Sequence, residues 1–309
     1  MGWQRRPGWE SLIEPVRQAT PILHTLCGIL LLMTACGRDG STIIVGSKNF
    51  TENVLLAELI AQQIEARTEL RVERRLNLGG TFLCHQALVA GQIDVYPEYS
   101  GTALTAILEQ PVRRDPEEVL RIVSAAYREQ FQAEWLTPFG FNNTYAIVVR
   151  EEDAAQKGLK TLSDLAAISG QYVIGFMFEF AERQDGYRGL IESYGMSFKD
   201  EPRTMDLGLI YRALRDGQID VGVGSATDGL ISALNMRVLE DDKRYFPPYD
   251  AAPVARTAVL DAHPEVREAL ASLGGILNEQ EMRKVNYAVD GEQRPVADVV
   301  RELRARKGL

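Results

Sequence analysis

The sequence predicts an α/β protein with two lobes of similar build and a ligand cleft between them. The pentapeptide Gly-Gln-Ile-Asp-Val occurs twice, at residues 91–95 and 217–221. In each copy an apolar helical face ends at the glycine, which can adopt the left-handed turn that ends a helix, and a β-branched strand follows. Two matched helix–turn–strand units in one chain indicate two similar lobes. The simpler alternative is a common helix–strand turn that is used twice.

The composition is that of a globular protein. At 309 residues, 45% hydrophobic and 25% charged, the chain is long enough for one large or two medium domains. Its formal net charge is -9, and no basic cluster alternates with aromatic residues. This balance argues against a nucleic-acid partner and favours neutral or cationic small molecules.

Residues 1–35 predict a lipoprotein signal peptide. Three arginines precede the apolar stretch 22–35, which is too short for a comfortable membrane span. The segment 32–37 resembles a bacterial lipobox, with Met33 where leucine is usual. Cys36 is therefore predicted to be the lipidated N-terminus of an extracytoplasmic protein. The alternative is an uncleaved signal anchor.

The first lobe is predicted to begin with a strand at 41–45 and a helix that continues through Glu65. Asn49 and Glu52 have the spacing of an N-terminal capping pair for this helix. Lys48 therefore lies between a strand end and a helix N-terminus, where an α/β sheet presents groups to a ligand. The alternative is an ordinary solvated surface lysine.

Further along the chain, the pattern predicts two crossings between the lobes. The loop 138–144 leads into a strand at 145–149, and the stiff segment 246–249 brings the chain back. Before the first crossing, the pattern also predicts a strand at 70–76, a glycine turn at 77–81 that opens a helix at Thr81, and a surface helix at 115–130. After it, the pattern predicts a helix opened by 161–164 and a strand at 172–176. Residues 251–309 are predicted to be mostly helical, with helix starts at 263–264, 278 and 295. The predicted organisation is lobe 1 at 36–142 and 250–309, and lobe 2 at 143–249.

The motifs of common enzyme classes are absent from the sequence. There is no nucleophile elbow, phosphate-binding loop, complete dinucleotide fingerprint, HExxH pair or paired CxxC. His24, His85 and His263 are isolated from one another, and Cys84 is predicted to fill core space. We therefore predict no catalytic residue, no metal and no cofactor.

Four tyrosines fall at predicted strand ends or crossings, where their side chains can converge on a cleft: Tyr96, Tyr99, Tyr145 and Tyr249. The faces of tyrosine rings attract a methylated ammonium group through the ring quadrupole. Lys48 and Arg183 are available for a carboxylate. Together these residues suggest a site for a zwitterion, although most tyrosines in proteins serve in packing.

Several motifs resemble one family in collinear order along nearly the whole mature chain. They are GSKNFTE (46–52), NLGGT (77–81), YPEYSGTAL (96–104), GFNNTYA (140–146), FEFAERQDGY (178–187), MDLGL (205–209), TDG (227–229) and EDDKRYFPPYDAAP (240–253). They resemble the glycine betaine/choline substrate-binding proteins of osmoprotectant ABC importers. The resemblance implies a type II periplasmic-binding-protein fold, whose two lobes close on a ligand and then dock on a permease.

The resemblance also implies a ligand site. Carried over to this sequence, Tyr99, Tyr145 and Tyr249 wall an aromatic cage, Lys48, Thr102 and Arg183 hold a carboxylate, Arg183 by a bidentate grip, and Asn143 approaches the cationic head. One position departs from the family pattern, because Ser225 stands where a cage tyrosine is common. A larger betaine then fills the space, and relatives in this family bind ergothioneine.

The function expected from these observations is that of an extracytoplasmic, lipid-anchored binding protein that delivers a quaternary-ammonium zwitterion to an ABC permease. Glycine betaine, carnitine, proline betaine and ergothioneine remain open, and choline ranks below them. A ligand-sensing lipoprotein without transport is one alternative. An enzyme that uses Glu98, Lys48 and Arg183 in the same cleft is another.

Overall fold

The computed structural model describes residues 41–309, so the predicted signal peptide and Cys36 lie outside the described residues. Two five-stranded mixed sheets organise this part of the chain. The first sheet has the order β2-β1-β3-β10-β4 and contains β1 (Thr42–Gly46), β2 (Arg71–Arg75), β3 (Val95–Tyr99), β4 (Ala133–Trp135) and β10 (Ala251–Arg256). The second has the order β7-β6-β8-β5-β9 and contains β5 (Tyr145–Arg150), β6 (Ile174–Phe176), β7 (Arg203–Thr204), β8 (Val221–Ser225) and β9 (Met236–Val238).

The two sheets have equivalent topologies. In each, three parallel strands are followed by an antiparallel strand, which is β10 in the first sheet and β5 in the second. The strands that follow the two pentapeptides, β3 and β8, occupy the same middle position. The predicted α/β architecture with two similar halves is therefore confirmed. Below, lobe 1 denotes the first sheet with its helices and lobe 2 the second, while the lobe boundaries predicted above remain a prediction.

Helices cover both faces of each sheet. Lobe 1 carries α1 (Thr51–Arg67), α2 (Thr81–Val89), α3 (Ser100–Thr102) continued by a π-helical turn (Ala103–Ile107), α4 (Pro116–Phe131), α11 (Thr257–Ala262), α12 (Pro264–Ala271), α13 (Glu279–Asp290) and α14 (Val296–Lys307). Lobe 2 carries α5 (Glu151–Lys157), α6 (Leu162–Ile168) with a 3₁₀ turn (Ser169–Gln171), α7 (Phe178–Glu182), α8 (Tyr187–Tyr194), α9 (Leu207–Arg215) and α10 (Gly229–Ala233). The predicted helix starts at 161, 263–264, 278 and 295 are confirmed.

The first sheet is buried on both faces. Successive residues of β1 point in opposite directions, so Ile43 and Val45 join one apolar cluster while Ile44 joins another. Cys84 is fully buried in the same cluster as Ile44, which confirms its predicted packing role, and burial raises the pKa of its thiol to about 12.

The duplicated pentapeptide has the same structural role in both lobes. Gly91 and Gly217 adopt left-handed conformations with φ of 68° and 70°. The carboxylate of Asp94 accepts a hydrogen bond from the backbone N–H of Ile44 at 2.8 Å, and that of Asp220 accepts one from Val173 at 3.0 Å. Each aspartate thus ties its strand to the neighbouring parallel strand.

Each of these aspartates also pairs with the arginine that ends the antiparallel strand. Arg256 at the end of β10 lies 3.4 Å from Asp94, and Arg150 at the end of β5 lies 2.9 Å from Asp220. The two aspartates therefore stabilise the sheets by joining their strands. They lie at the end of each sheet away from the tyrosines of the cleft.

Two local predictions are wrong. The mostly helical pattern predicted from residue 251 begins instead with β10, because pairing with both β3 and β4 outweighs the local preference of the alanine-rich segment 251–256. The predicted capping pair does not form either, since α1 follows Phe50, whose side chain makes no capping bond. The side chain of Glu52 is buried and turns towards the other lobe.

The duplicated aspartates give a matched test of this structure. Asp94→Ala and Asp220→Ala should each lower the free energy of unfolding by about 1 to 3 kcal/mol, because each leaves a buried backbone N–H without its acceptor and removes an ion pair with an arginine. Asp94→Ala should cost more, since its side chain is 2% exposed and that of Asp220 is 27% exposed. Urea unfolding measures both values, and equal stability of parent and variants would contradict the assignment.

Candidate ligand-binding site

A cavity lies between the two lobes and contains about 760 Å³ of space, including the part that opens to solvent. The structure brings all eight residues predicted for the ligand to the wall of this cavity: Lys48, Tyr99, Thr102, Asn143, Tyr145, Arg183, Ser225 and Tyr249. Their positions follow from the topology, because three of them end or begin a strand and three more lie two residues from a strand end, where the two sheets face each other.

Aromatic rings form much of the wall. Tyr145, the first residue of β5, and Tyr249, just before β10, meet edge to face with ring centroids 5.5 Å apart. Tyr99, the last residue of β3, stacks at 6.0 Å with Phe50. Phe180 lies 4.8 Å from Tyr145 and extends the wall further. The sequence pointed to these three tyrosines but not to Phe50 or Phe180, which share the cavity. It also pointed to Tyr96, wrongly, because that side chain is fully buried in the apolar cluster of Ile44.

Buried carboxylates anchor two of the tyrosine rings. The hydroxyl of Tyr99 donates to Glu52 at 2.9 Å, and that of Tyr249 donates to Asp185 at 2.6 Å. Both side chains are almost completely buried, and burial raises the pKa of both hydroxyls well above the usual value. The rings are therefore neutral and fixed in orientation, which preorganises them for a cationic group.

Lys48 is neutralised inside the protein. Its ammonium lies 2.6 Å from a carboxylate oxygen of Glu98 and donates to the hydroxyl of Thr81 at 2.9 Å. The same Glu98 oxygen accepts the backbone N–H of Tyr99 at 2.7 Å. A lysine ammonium has three donors, so one further hydrogen bond is open to a ligand.

Arg183 is also paired within the site. Its Nε and Nη2 both donate to the carboxylate of Asp185, and Nη2 also donates to the hydroxyl of Thr105 at 3.2 Å. Asp185 thus occupies the Nε–Nη2 edge of the guanidinium, and the bidentate grip on a ligand carboxylate stays a prediction. The guanidinium carbon lies 5.7 Å from the ring centroid of Tyr145 and 5.9 Å from that of Tyr249. Arg183 thus packs against the cage and offers Nη1 as its remaining donor.

A polar network connects Ser225 to Glu52. The hydroxyl of Ser225 donates to the side-chain oxygen of Asn143, whose Nδ2 donates to Glu52 at 2.7 Å. Ser225 ends β8 directly opposite Tyr145, so it holds a position where a ring would face the cavity. The small side chain leaves that space open. Glu52 was expected to cap a helix, and the sequence carries no signal for its role here.

The lobes also meet at the wall of the cavity, which Gly80, Thr81 and Glu179 line. Glu179 of lobe 2 accepts a hydrogen bond from the backbone N–H of Thr81 at 2.9 Å, which caps the N-terminus of α2 from the opposite lobe. A Cβ atom on Gly80 would lie 1.5 Å from the same oxygen of Glu179. Glycine at position 80 therefore permits the close approach of the lobes.

Comparison with known proteins agrees with this fold. The family described as the substrate binding domain of ABC-type glycine betaine transport systems (OpuAC) matches residues 41–305. The chain is 35% identical over 281 residues to the carnitine transport binding protein OpuCC of Listeria monocytogenes, covering 88% of this chain and 91% of the relative. A crystal structure of a glycine betaine/carnitine/choline ABC transporter protein superposes with a TM-score of 0.73 at 32% identity, covering 86% of this chain and 98% of the other.

A further relative is the ergothioneine transport permease/ergothioneine binding protein EgtU of Helicobacter pylori. It is 30% identical over 285 residues, which cover 92% of this chain and 51% of the relative. The chain thus spans about half of that protein. These matches define a substrate-binding protein with a type II periplasmic-binding-protein fold. The chain belongs to the OpuAC family of substrate-binding domains of ABC-type glycine betaine transport systems.

The contact between Glu179 and α2 predicts a specific coupling. Gly80→Ala should leave each lobe folded, because φ of Gly80 is -80° and alanine adopts this conformation readily. The new methyl group should displace Glu179 and weaken ligand binding in the cavity about fivefold to tenfold, as the loss of one charged hydrogen bond would. Calorimetric titration measures the effect.

Glu179→Ala is the matched control for this variant. It should weaken binding by a similar factor, and the double variant should be no worse than either single one, since both remove the same contact. Losses that multiply in the double variant would show that Gly80 and Glu179 act independently.

Proposed function

We propose that this protein captures a quaternary-ammonium zwitterion in the cleft between its lobes and delivers it to an ABC permease. The observation that carries the proposal is the convergence of three tyrosine rings, Lys48 and Arg183 on one cavity. The rings suit a methylated ammonium, which gains from ring quadrupoles and needs no hydrogen bond. The remaining donors of Lys48 and Arg183, with the hydroxyl of Thr102, suit a carboxylate.

The proposed ligand is glycine betaine or a bulkier betaine such as carnitine or ergothioneine. Relatives named for carnitine and for ergothioneine support the bulkier ligands. The small side chain of Ser225 supports them too, because it leaves space at the position opposite Tyr145. Choline ranks below these ligands, since it has no carboxylate for the two cationic groups.

Ser225→Tyr tests this choice of ligand. The new ring should complete the cage and strengthen glycine betaine binding about tenfold, equivalent to about 1.4 kcal/mol, while it weakens a larger native betaine by overlap. Paired calorimetric titrations of parent and variant measure both changes. Ser225→Ala is the control, because it breaks the bond to Asn143 without adding a ring. Unchanged affinities in the tyrosine variant would exclude residue 225 from the site.

The proposed location is outside the cytoplasmic membrane, where the substrate-binding proteins of ABC importers act. Within residues 41–309, the structure contains no helix that is both long and apolar enough to span a membrane. We further propose that Cys36 carries a lipid anchor and that residues 36–142 and 250–309 form one lobe around a second at 143–249.

The lipid anchor has a direct test. Cys36→Ser should accumulate as an unprocessed precursor, because lipobox processing requires the thiol. Mass spectrometry of the membrane fraction should find lipid on Cys36 at the mature N-terminus of the parent. An uncleaved and unmodified Cys36 in the parent would contradict this part of the proposal.

The pairing of the cleft charges supports binding over catalysis. Glu98 is engaged with Lys48, and Arg183 with Asp185, so the groups considered for an enzyme are held in buried ion pairs. A sensor without transport would use the same cavity. Uptake of radiolabelled betaine by cells with and without the protein separates an importer subunit from a sensor.

A further inference from the structure

Glu52 is a buried carboxylate with no cationic partner in the described part of the chain. It is 3% exposed and accepts from four neutral side chains, Tyr99, Asn143, Thr227 and Asn286. Lys48 and Arg183, the two cations of the cavity wall, are each paired with another carboxylate, Glu98 or Asp185. Glu52 therefore adds a negative charge that no neighbouring cation cancels.

The hydrogen-bond pattern fits the ionised form of Glu52. A carboxylate is an acceptor with about four lone-pair sites, and here four donors fill them. The hydroxyl of Tyr99 and Nδ2 of Asn143 bind one oxygen, while the hydroxyl of Thr227 and Nδ2 of Asn286 bind the other. Burial raises the pKa of Glu52, and the four hydrogen bonds oppose that rise.

This charge lies directly behind the wall of the cavity. Two of its four partners, Tyr99 and Asn143, line the cavity themselves, so a single side chain separates the carboxylate from the space inside. In such a poorly solvated place a negative charge attracts a cation more strongly than in water. A quaternary ammonium has no N–H to donate, so attraction through space is the means of recognition left.

We propose that Glu52 is a specificity-determining residue, whose negative charge acts through Tyr99 and Asn143 to select a cationic head group over an uncharged one of the same shape. The inference rests on the proposed function, because it assumes a quaternary ammonium in this cavity. It adds a charge from α1 to the aromatic cage. The cage alone would distinguish the two head groups less well.

The test compares each betaine with its carbon isostere, in which a quaternary carbon replaces the nitrogen. Glycine betaine pairs with 3,3-dimethylbutanoate, and carnitine with 3-hydroxy-5,5-dimethylhexanoate. The measurement uses whichever betaine the parent binds more tightly, with the isostere determined by competition. Glu52→Gln should weaken betaine binding about tenfold and change isostere binding less than about twofold.

Two further variants control this result. Glu58→Gln lies on the same helix but pairs with Arg74, so it should leave both affinities unchanged. The double variant E52Q/N286D exchanges amide and carboxylate within one hydrogen-bonded pair and so keeps one negative charge next to its original position. It should recover most of the preference for the betaine, and it supplies a readout if Glu52→Gln alone is too unstable to measure.

The outcomes separate this inference from the function on which it rests. If the parent binds none of glycine betaine, carnitine and ergothioneine, the proposed function fails. If the parent binds a betaine and Glu52→Gln weakens betaine and isostere equally, or neither, Glu52 is structural and the inference is overturned. A folded double variant that shows no preference for the betaine also overturns it.

Discussion

The site depends on the cost of placing charges in a poorly solvated cleft. Removing an ion from water costs several kcal/mol unless partners compensate it. The protein meets this constraint by pairing Lys48 with Glu98 and Arg183 with Asp185, both at hydrogen-bond distance. These pairs also fix the architecture of the wall, since Glu98 binds the backbone of Tyr99 and Asp185 binds the hydroxyl of Tyr249.

The same constraint links the two lobes. Asp185 of lobe 2 accepts from Tyr249 and from the hydroxyl of Thr105 in lobe 1. Glu52 of lobe 1 accepts from Thr227 in lobe 2. These carboxylates accept hydrogen bonds from the opposite lobe. The site residues therefore take up this arrangement only when the two lobes lie close together. A ligand that completes the site would stabilise the closed arrangement by its preference for that state.

Much of this fold could be predicted from the sequence, because its signals are local. The glycine and the aspartate of the repeated pentapeptide have the same structural roles in both copies, and the repeat therefore predicted two similar lobes. The tyrosines at strand ends were placed well, since the end of a strand fixes where a side chain points. Strand β10 was missed because its pairing with β3 spans more than 150 residues and leaves no local pattern.

The partners of the site residues could not be read from the sequence for a related reason. Lys48 and Glu98 are 50 positions apart, and Glu52 and Thr227 are 175 apart. Spacing alone made Glu52 resemble a helix cap, while tertiary contacts turned it towards the cleft. Arg183 and Asp185 are close in sequence, yet only the folded geometry shows that the aspartate occupies the arginine fork.

The most direct measurement of the central claim is isothermal titration of the purified protein with glycine betaine, carnitine, ergothioneine and choline. We predict one-to-one binding of at least one carboxylate-bearing betaine with a Kd on the order of micromolar or tighter, and choline binding that is at least about tenfold weaker. Tyr249→Ala should abolish most of that affinity while the protein remains folded. Absence of binding by all three betaines, or tighter binding of choline than of any betaine, would contradict this claim.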